Sequence, residues 1–164
     1  MPQIGKIMTE KLKTISLKQQ TYLETIYDLS LKEGHTHIKL IAEKLSKRMP
    51  SVTEVMRKLA EKKLINYDVR KNVSLTSFGR KMAKELDERH NILADFYCRI
   101  LGCPFSKAHK IACKVEHVVD TAFCSRLAGF ASFVRTKEND GIELIEEFKE
   151  YYTKLKLNEK NKHQ

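Results

Sequence analysis

Helical periodicity governs this chain of 164 residues almost from end to end, and one stretch departs from it. From Leu64 to Thr76, β-branched and aromatic residues flank a polar, basic tip, Arg70-Lys71-Asn72. Such a run predicts a small hairpin. Ahead of it, Ser16 stands where a helix cap belongs, and Leu17, Leu23, Ile26, Tyr27 and Leu31 recur at helical spacing until Gly34. A short helix follows, with Ile38, Ile41, Ala42 and Leu45 on one face. Pro50 suits the first helical position of the next segment, Pro50 to Lys63, whose apolar stripe is Val52, Val55, Met56 and Leu59. Beyond the hairpin the helical period resumes at Ser77 and runs past Ile100 to about Gly102. Ser106 to Phe130 reads as one or two helices, with Gly129 near the end, and Ile142, Ile145, Phe148, Tyr152 and Leu155 mark a last one. Six Gly and three Pro leave little material for tight turns, which argues against a sandwich or barrel.

Helix, short helix, turn, helix and basic hairpin follow one another in the order of a winged helix-turn-helix. The expected fold is therefore mainly α: a winged helix-turn-helix over residues 1–80, with 1–15 as an N-terminal arm, then an all-helical domain over 81–157. A polar tail, 158–164, is expected to be disordered. In a winged helix-turn-helix the second helix of the pair enters the major groove with its N-terminal residues leading. That places Arg48, Pro50, Ser51, Thr53 and Glu54 at the groove, with Lys58 and Lys62 further along. Arg70 and Lys71, at the hairpin tip, would reach phosphates or the minor groove. The charge agrees. Residues 1–80 hold 16 Lys/Arg against 8 Asp/Glu, whereas residues 81–164 hold 15 against 13. A basic front half suits a polyanion, and double-stranded DNA is the expected one. An anionic membrane surface would call for a strongly amphipathic basic helix, which the sequence lacks. An ordinary helical lobe with a solvated charged surface is the plainer alternative.

Nothing in the chain reaches the 18 uncharged apolar residues of a membrane span, and Met1 to Ser16 has no apolar core of a secretion signal. Cys98, Cys103, Cys113 and Cys124 include no Cys-x-x-Cys pair, so a reducing cytoplasm is the expected compartment. Cys98, Cys103 and Cys124 read as small buried apolar residues, and His35, His37 and His163 as loop or tail residues.

The back half carries its own signal. His109, Cys113, Glu116 and His117 stand at i, i+4, i+7 and i+8, which brings them to one face of a helix. Imidazole, thiolate and carboxylate are ligand types for first-row transition metals. A satisfied polar core would use the same residues. A nucleophilic Cys113–His117 pair is disfavoured, because neighbours on one helix rarely come with an oxyanion site.

Several segments resemble, in order, the diphtheria toxin repressor and manganese transport regulator family. They are Tyr22 to Leu29, Ile41 to Leu45, Pro50 to Glu54, Val73 to Gly79 and, most specifically, His109-Lys110-Ile111-Ala112-Cys113-Lys114-Val115-Glu116-His117-Val118. The collinear stretch runs from about residue 19 to 130. The resemblance implies a dimeric, metal-activated repressor that binds a palindromic operator and controls metal uptake or homeostasis, with Fe²⁺ or Mn²⁺ as the ion. By position, Cys113, Glu116 and His117 match primary-site ligands, Cys113 in the manner of the iron-type members. His90 matches a ligand of both branches, His109 an ancillary-site histidine of the iron type, and Glu24 a ligand of the manganese type. Thr21 stands where the family places Met or Asp, and Ala94 where several members have Glu. The chain is too short for the extra SH3-like domain of longer members. The resemblance further implies that a metal bridging the two domains fixes the dimer for DNA. The competing functions are a winged-helix regulator that has lost metal control and a small metalloenzyme or metal buffer. The expected protein is not an enzyme, has no organic small-molecule substrate and does not bind membranes.

Overall fold

The computed structural model describes Leu12, residues 14–68 and residues 72–161. Helix α1 spans Leu17–Ser30. It opens on the expected cap: Ser16 Oγ accepts from the Gln19 N–H at 3.2 Å, and Gln19 Oε1 accepts from the Ser16 N–H at 3.0 Å. This reciprocal box satisfies two donors that a helix start otherwise leaves bare. Helix α2 is Ile38–Lys44 and α3 is Met49–Glu61, with Arg48 as its N-cap residue and Pro50 in the first turn. Between them Ser46 takes a positive φ of 51°, the sharp turn that lets the two helices cross. Strands β1, Ile65–Tyr67, and β2, Val73–Leu75, pair antiparallel with Ile65 opposite Leu75 and Tyr67 opposite Val73. Thr36 adds an isolated bridge on the other side of Val73.

Helix α4, Ser77–Asp95, leaves the hairpin abruptly. Thr76 Oγ1 accepts from the Gly79 N–H at 3.0 Å while donating to the Lys63 carbonyl at 2.9 Å. A Cβ on Gly79 would lie 1.9 Å from the Leu64 carbonyl oxygen, so this approach of helix to strand requires glycine. The chain divides into two compact units at Glu88/Arg89. The first has a continuous apolar core in which Leu23, Ile26, Ile41, Val52, Met56, Leu59, Val73, Met82 and Leu86 are shut off from solvent. Every one of the stripe residues of α3 named from the sequence is in it.

In the second unit α4 passes into a π-helical turn, Phe96–Ile100, closed by a bond from the Leu101 N–H to the Phe96 carbonyl at 3.1 Å. Helices α5 (Phe105–Val115), α6 (Thr121–Arg135) and α7 (Glu138–Asn161) follow. The core here is small: Leu93, Ala94, Ala112 and Cys124. Cys98 and Cys103 are only half-buried. Gly141 sits where a Cβ would meet the Val134 carbonyl oxygen at 2.1 Å, and so permits the tight return from α6 to α7. The polar run that begins at Asn158, expected as a disordered tail, is helical as far as Asn161, because nothing in it breaks a helix. Phe123, Phe130, Phe133, Ile142, Leu144 and Tyr151 are large apolar residues left exposed on α6 and α7. Beside them lies an open apolar hollow of about 340 Å³, floored by Phe96 and Ile100 and walled by Val134, Ile145 and Phe148. Among the described residues, no helix is long and apolar enough to cross a membrane.

Candidate metal centre and nucleic-acid interface

Helix α5 faces the core of the second unit with two alanines, Ala108 and Ala112, both fully buried. Small residues allow a close approach, so the polar residues beside them are carried inward. His109 follows Ala108. At the far end the Glu116 N–H still donates to the Ala112 carbonyl at 2.9 Å, and the chain then turns through His117 to Asp120, the N-cap of α6. From α4, Arg89 reaches this turn. Its guanidinium donates to the Val119 carbonyl at 2.9 Å and to Thr121 Oγ1 at 3.1 Å.

The result is a compact polar cluster. Glu116 is 2% exposed. His90 Nδ1 lies 2.7 Å from Glu116 Oε2, and His90 Nε2 lies 3.0 Å from His109 Nδ1. His117 Nε2 is 3.5 Å from Glu116 Oε1, and the His109 ring packs on Phe105 with centroids 4.1 Å apart. Neutral rings satisfy this network when His90 donates from Nδ1 to the carboxylate and accepts at Nε2 from His109. Burial holds the His117 pKa below its ordinary value; Glu116 opposes the shift, while Arg89 and His90 add to it. A neutral imidazole is the form that binds metal.

Donor atoms about 2.0–2.2 Å from one ion stand roughly 3 Å from one another. Glu116 stands at such a spacing from His90 Nδ1 (2.7 Å) and from His117 Nε2 (3.5 Å), whereas His109 meets the opposite nitrogen of the His90 ring, at 3.0 Å. A buried carboxylate with three imidazoles is also a donor set for a divalent transition metal. By the chemistry of their donors the residues present fit such an ion, with His90 able to offer it one ring nitrogen only. Of the six ligands expected from the sequence, His90, His109, Glu116 and His117 are brought together. Cys113 is on the same helix and exposed. Glu24 is half-buried on α1, in the first unit. Ala94 is buried and, with Asn91, Asp95 and Cys98, lines a groove of about 490 Å³ beside His109.

In the first unit, α3 turns Val52, Val55, Met56 and Leu59 inward, and its other face stays in solvent. Arg48, Pro50, Ser51, Glu54 and Lys58 are exposed and Thr53 is half-buried. Glu54 and Lys58 pair at 2.6 Å, and the hydrogen bond from Lys58 holds the Glu54 carboxyl below its usual range. Lys62 Nζ donates to the Thr14 carbonyl at 2.9 Å. Arg70 and Lys71 lie outside the described residues.

Residues 14–73 match the family model described as the N-terminal DNA binding domain of iron dependent repressors. Residues 76–142 match that of the metal binding and dimerisation domain. The HTH-type transcriptional regulator MntR of Bacillus velezensis is 30% identical over 125 residues, which are 76% of this chain and 87% of that protein. The chain belongs to the iron-dependent repressor family. The iron-dependent repressor IdeR of Mycobacterium leprae is 32% identical over 101 residues, 61% of this chain but only 44% of IdeR. A solved manganese-dependent transcriptional repressor in complex with manganese superposes with a TM-score of 0.63 at 28% identity, over 70% of this chain and 53% of that one. The chain thus spans about half the length of these two relatives and most of the MntR protein.

In this member of the family the sequence motifs leave one residue of the cluster unassigned, Arg89. The signal was there: Met82, Leu86, Arg89 and Leu93 share the buried stripe of α4, so a charge falls at a core position. A buried charge needs partners, and here they are the backbone and side chain that set the turn carrying Glu116 and His117.

Proposed function

We propose that this chain is a metal-activated, dimeric DNA-binding repressor of metal uptake or homeostasis genes. The observation that supports it is the buried Glu116 carboxylate between His90 and His117, with His109 behind, in a chain whose other unit is a winged helix-turn-helix. When bound, a divalent ion such as Fe²⁺ or Mn²⁺ supplies two positive charges and directed bonds. Glu116 is buried beside imidazoles and would gain a full counter-charge. His90 is held against the carboxylate through Nδ1, a contact that would open for that nitrogen and Glu116 to share one ion. Arg89 fixes the turn, so that Glu116 and His117 need not be ordered at the moment of binding. Cys113, as a thiolate, favours iron, and Glu24, as a carboxylate, favours manganese.

DNA reading would fall to the N-terminal turn of α3, through Arg48, Ser51 and Thr53, with Pro50 setting its start. Glu54, Lys58 and the hairpin-tip residues Arg70 and Lys71 would complete the interface. A second copy would cover the exposed aromatic residues of α6 and α7, as the description of the matched dimerisation domain suggests. Two recognition helices must sit about 34 Å apart to read a palindromic operator. Coupling would come through Glu24: an ion that recruits it adds a ligand from the DNA-binding unit and so restricts how the two half-site readers are spaced. Moving such an equilibrium from 1:99 to 99:1 takes about 5.5 kcal/mol of differential binding. As a DNA-bound regulator the protein would work in the cytoplasm and have no catalytic role.

Operator titration with Glu24→Gln tests the coupling. Metal activation should fall while binding at saturating metal is largely kept. Equal loss of both would refute the coupling. Operator binding that ignores chelation altogether would favour a metal-independent regulator.

A further inference from the structure

Three side chains of metal-ligating type, Glu33, His35 and His37, stand in the first unit, in the loop between α1 and α2. Gly34, at φ 74°, turns the chain there. Thr36 is then fixed on both sides: its N–H donates to the Val73 carbonyl at 2.8 Å, and its carbonyl accepts from the Val73 N–H at 2.7 Å. Thr36 is 2% exposed. In extended backbone, alternate residues point to opposite sides, so a buried, paired Thr36 sends its two neighbours to the other side together. Those neighbours are His35 and His37.

Their ring centroids are 5.8 Å apart with planes at 89°. His37 keeps an extended backbone, φ −118° and ψ 147°, and makes no side-chain capping bond to α2. His35 Nδ1 lies 3.0 Å from the Glu33 carbonyl oxygen, which assigns the ring proton to Nδ1 and leaves the lone pair on Nε2. That nitrogen faces the Glu33 carboxylate, with Oε2 at 3.8 Å. A backbone carbonyl holding one ring nitrogen so that the other is free to ligate is the usual support of a metal-binding histidine. Two imidazoles sharing an ion at about 2.0–2.1 Å per nitrogen hold their centroids about 5 Å apart. The His37 ring is exposed, and rotating it would bring one of its nitrogens to the ion. Because Thr36 already fixes the backbone, little ordering remains to be done on binding.

We propose that Glu33, His35 and His37 form a second, surface site for a borderline divalent ion of the Ni²⁺, Cu²⁺ or Zn²⁺ kind. Two imidazoles and one carboxylate bind these ions more strongly than Mn²⁺ or Fe²⁺, following the general order of divalent affinities. Water fills the remaining positions. The site lies in the first unit, at the entry to the helix-turn-helix, and does not depend on the ligands of the second unit.

Calorimetric titration of the full chain with Ni²⁺ tests it. The unsubstituted protein should bind one equivalent more than His35→Gln/His37→Gln. Glu33→Gln should keep that equivalent with several-fold weaker affinity, and His117→Ala should keep it unchanged. Equal stoichiometry in the unsubstituted protein and the double variant would overturn the proposal. Substoichiometric Cu²⁺ added to the unsubstituted protein gives a second readout by proton NMR, one that does not require the variant to fold. Selective broadening of the His35 and His37 ring signals supports the site, and uniform or absent broadening overturns it.

Discussion

The two units solve the problem of stability in opposite ways. In the first, large aliphatic side chains such as Leu23, Ile26, Met56, Leu59 and Leu86 fill one core, and charges stay outside. In the second, the main core cluster among the described residues is Leu93, Ala94, Ala112 and Cys124, while Arg89 and Glu116 are buried and large aromatic residues are exposed on α6 and α7. Burying a polar group costs free energy unless it is bonded, and exposing aromatic surface forfeits hydrophobic stabilisation. The first unit is therefore complete in itself. On the proposed function, the second unit would be finished by what it binds: an ion on its polar cluster and a second copy on its apolar face. Any ligand that binds only the folded form adds to the stability of such a unit by mass action.

The largest effect should come from breaking the self-sufficient side. Leu59→Ala removes a fully buried side chain, which should cost about 2–5 kcal/mol in denaturant unfolding of the first unit, with or without metal. Next, an ion at about a hundred times its dissociation constant should stabilise the protein by about 2.7 kcal/mol. That appears as a rise of several degrees in the melting temperature under anaerobic Mn²⁺ or Fe²⁺. His117→Ala should abolish it; a rise that survives would move the ion away from this cluster. A smaller change is expected at α1, where Ser16→Ala removes the capping box and should cost about 1 kcal/mol, read by the same denaturant titration.

The smallest effect is one of pH. Folding holds the His117 pKa below its ordinary value of 6.5, so the unfolded chain takes up the proton first as pH falls. The associated stability is fully present above pH 6.5 and is lost as pH falls from there through the lower folded-state pKa. Melting of the metal-free protein across this window should show the decline, and His117→Gln should flatten it. An unchanged slope in that variant would assign the titration to another group.

Much of this was legible in the sequence, for physical reasons. The stripe Val52, Val55, Met56, Leu59 allowed α3 one orientation only, and Ser16 with Gln19 three residues on is a capping box in plain view. The basic hairpin was visible because its period differs from everything around it. The pairs within the metal cluster were half visible: helical spacing placed His109 and Glu116 on one face, but bringing His90 to them is a contact between helices, which spacing on one helix does not encode. The π-helical turn at Phe96–Ile100 was not legible, since five residues of either helix carry the same apolar pattern. Nor was the break after Val115, where no Gly or Pro stands; Arg89 and the Asp120 cap make that turn.

The position of the core residues along the chain has a consequence for how the protein is made. Every described residue of the first unit's core lies at or before Leu86, ahead of His90 and the rest of the candidate metal cluster. Synthesis proceeds from the N-terminus and domains fold as units. The helix-turn-helix can therefore be folded on the ribosome while His109, Glu116 and His117 are still untranslated. On the proposed function, the nascent chain would for that interval carry a folded helix-turn-helix without the polar cluster of the second unit, and metal control of DNA binding would arrive only with the last third of the polypeptide.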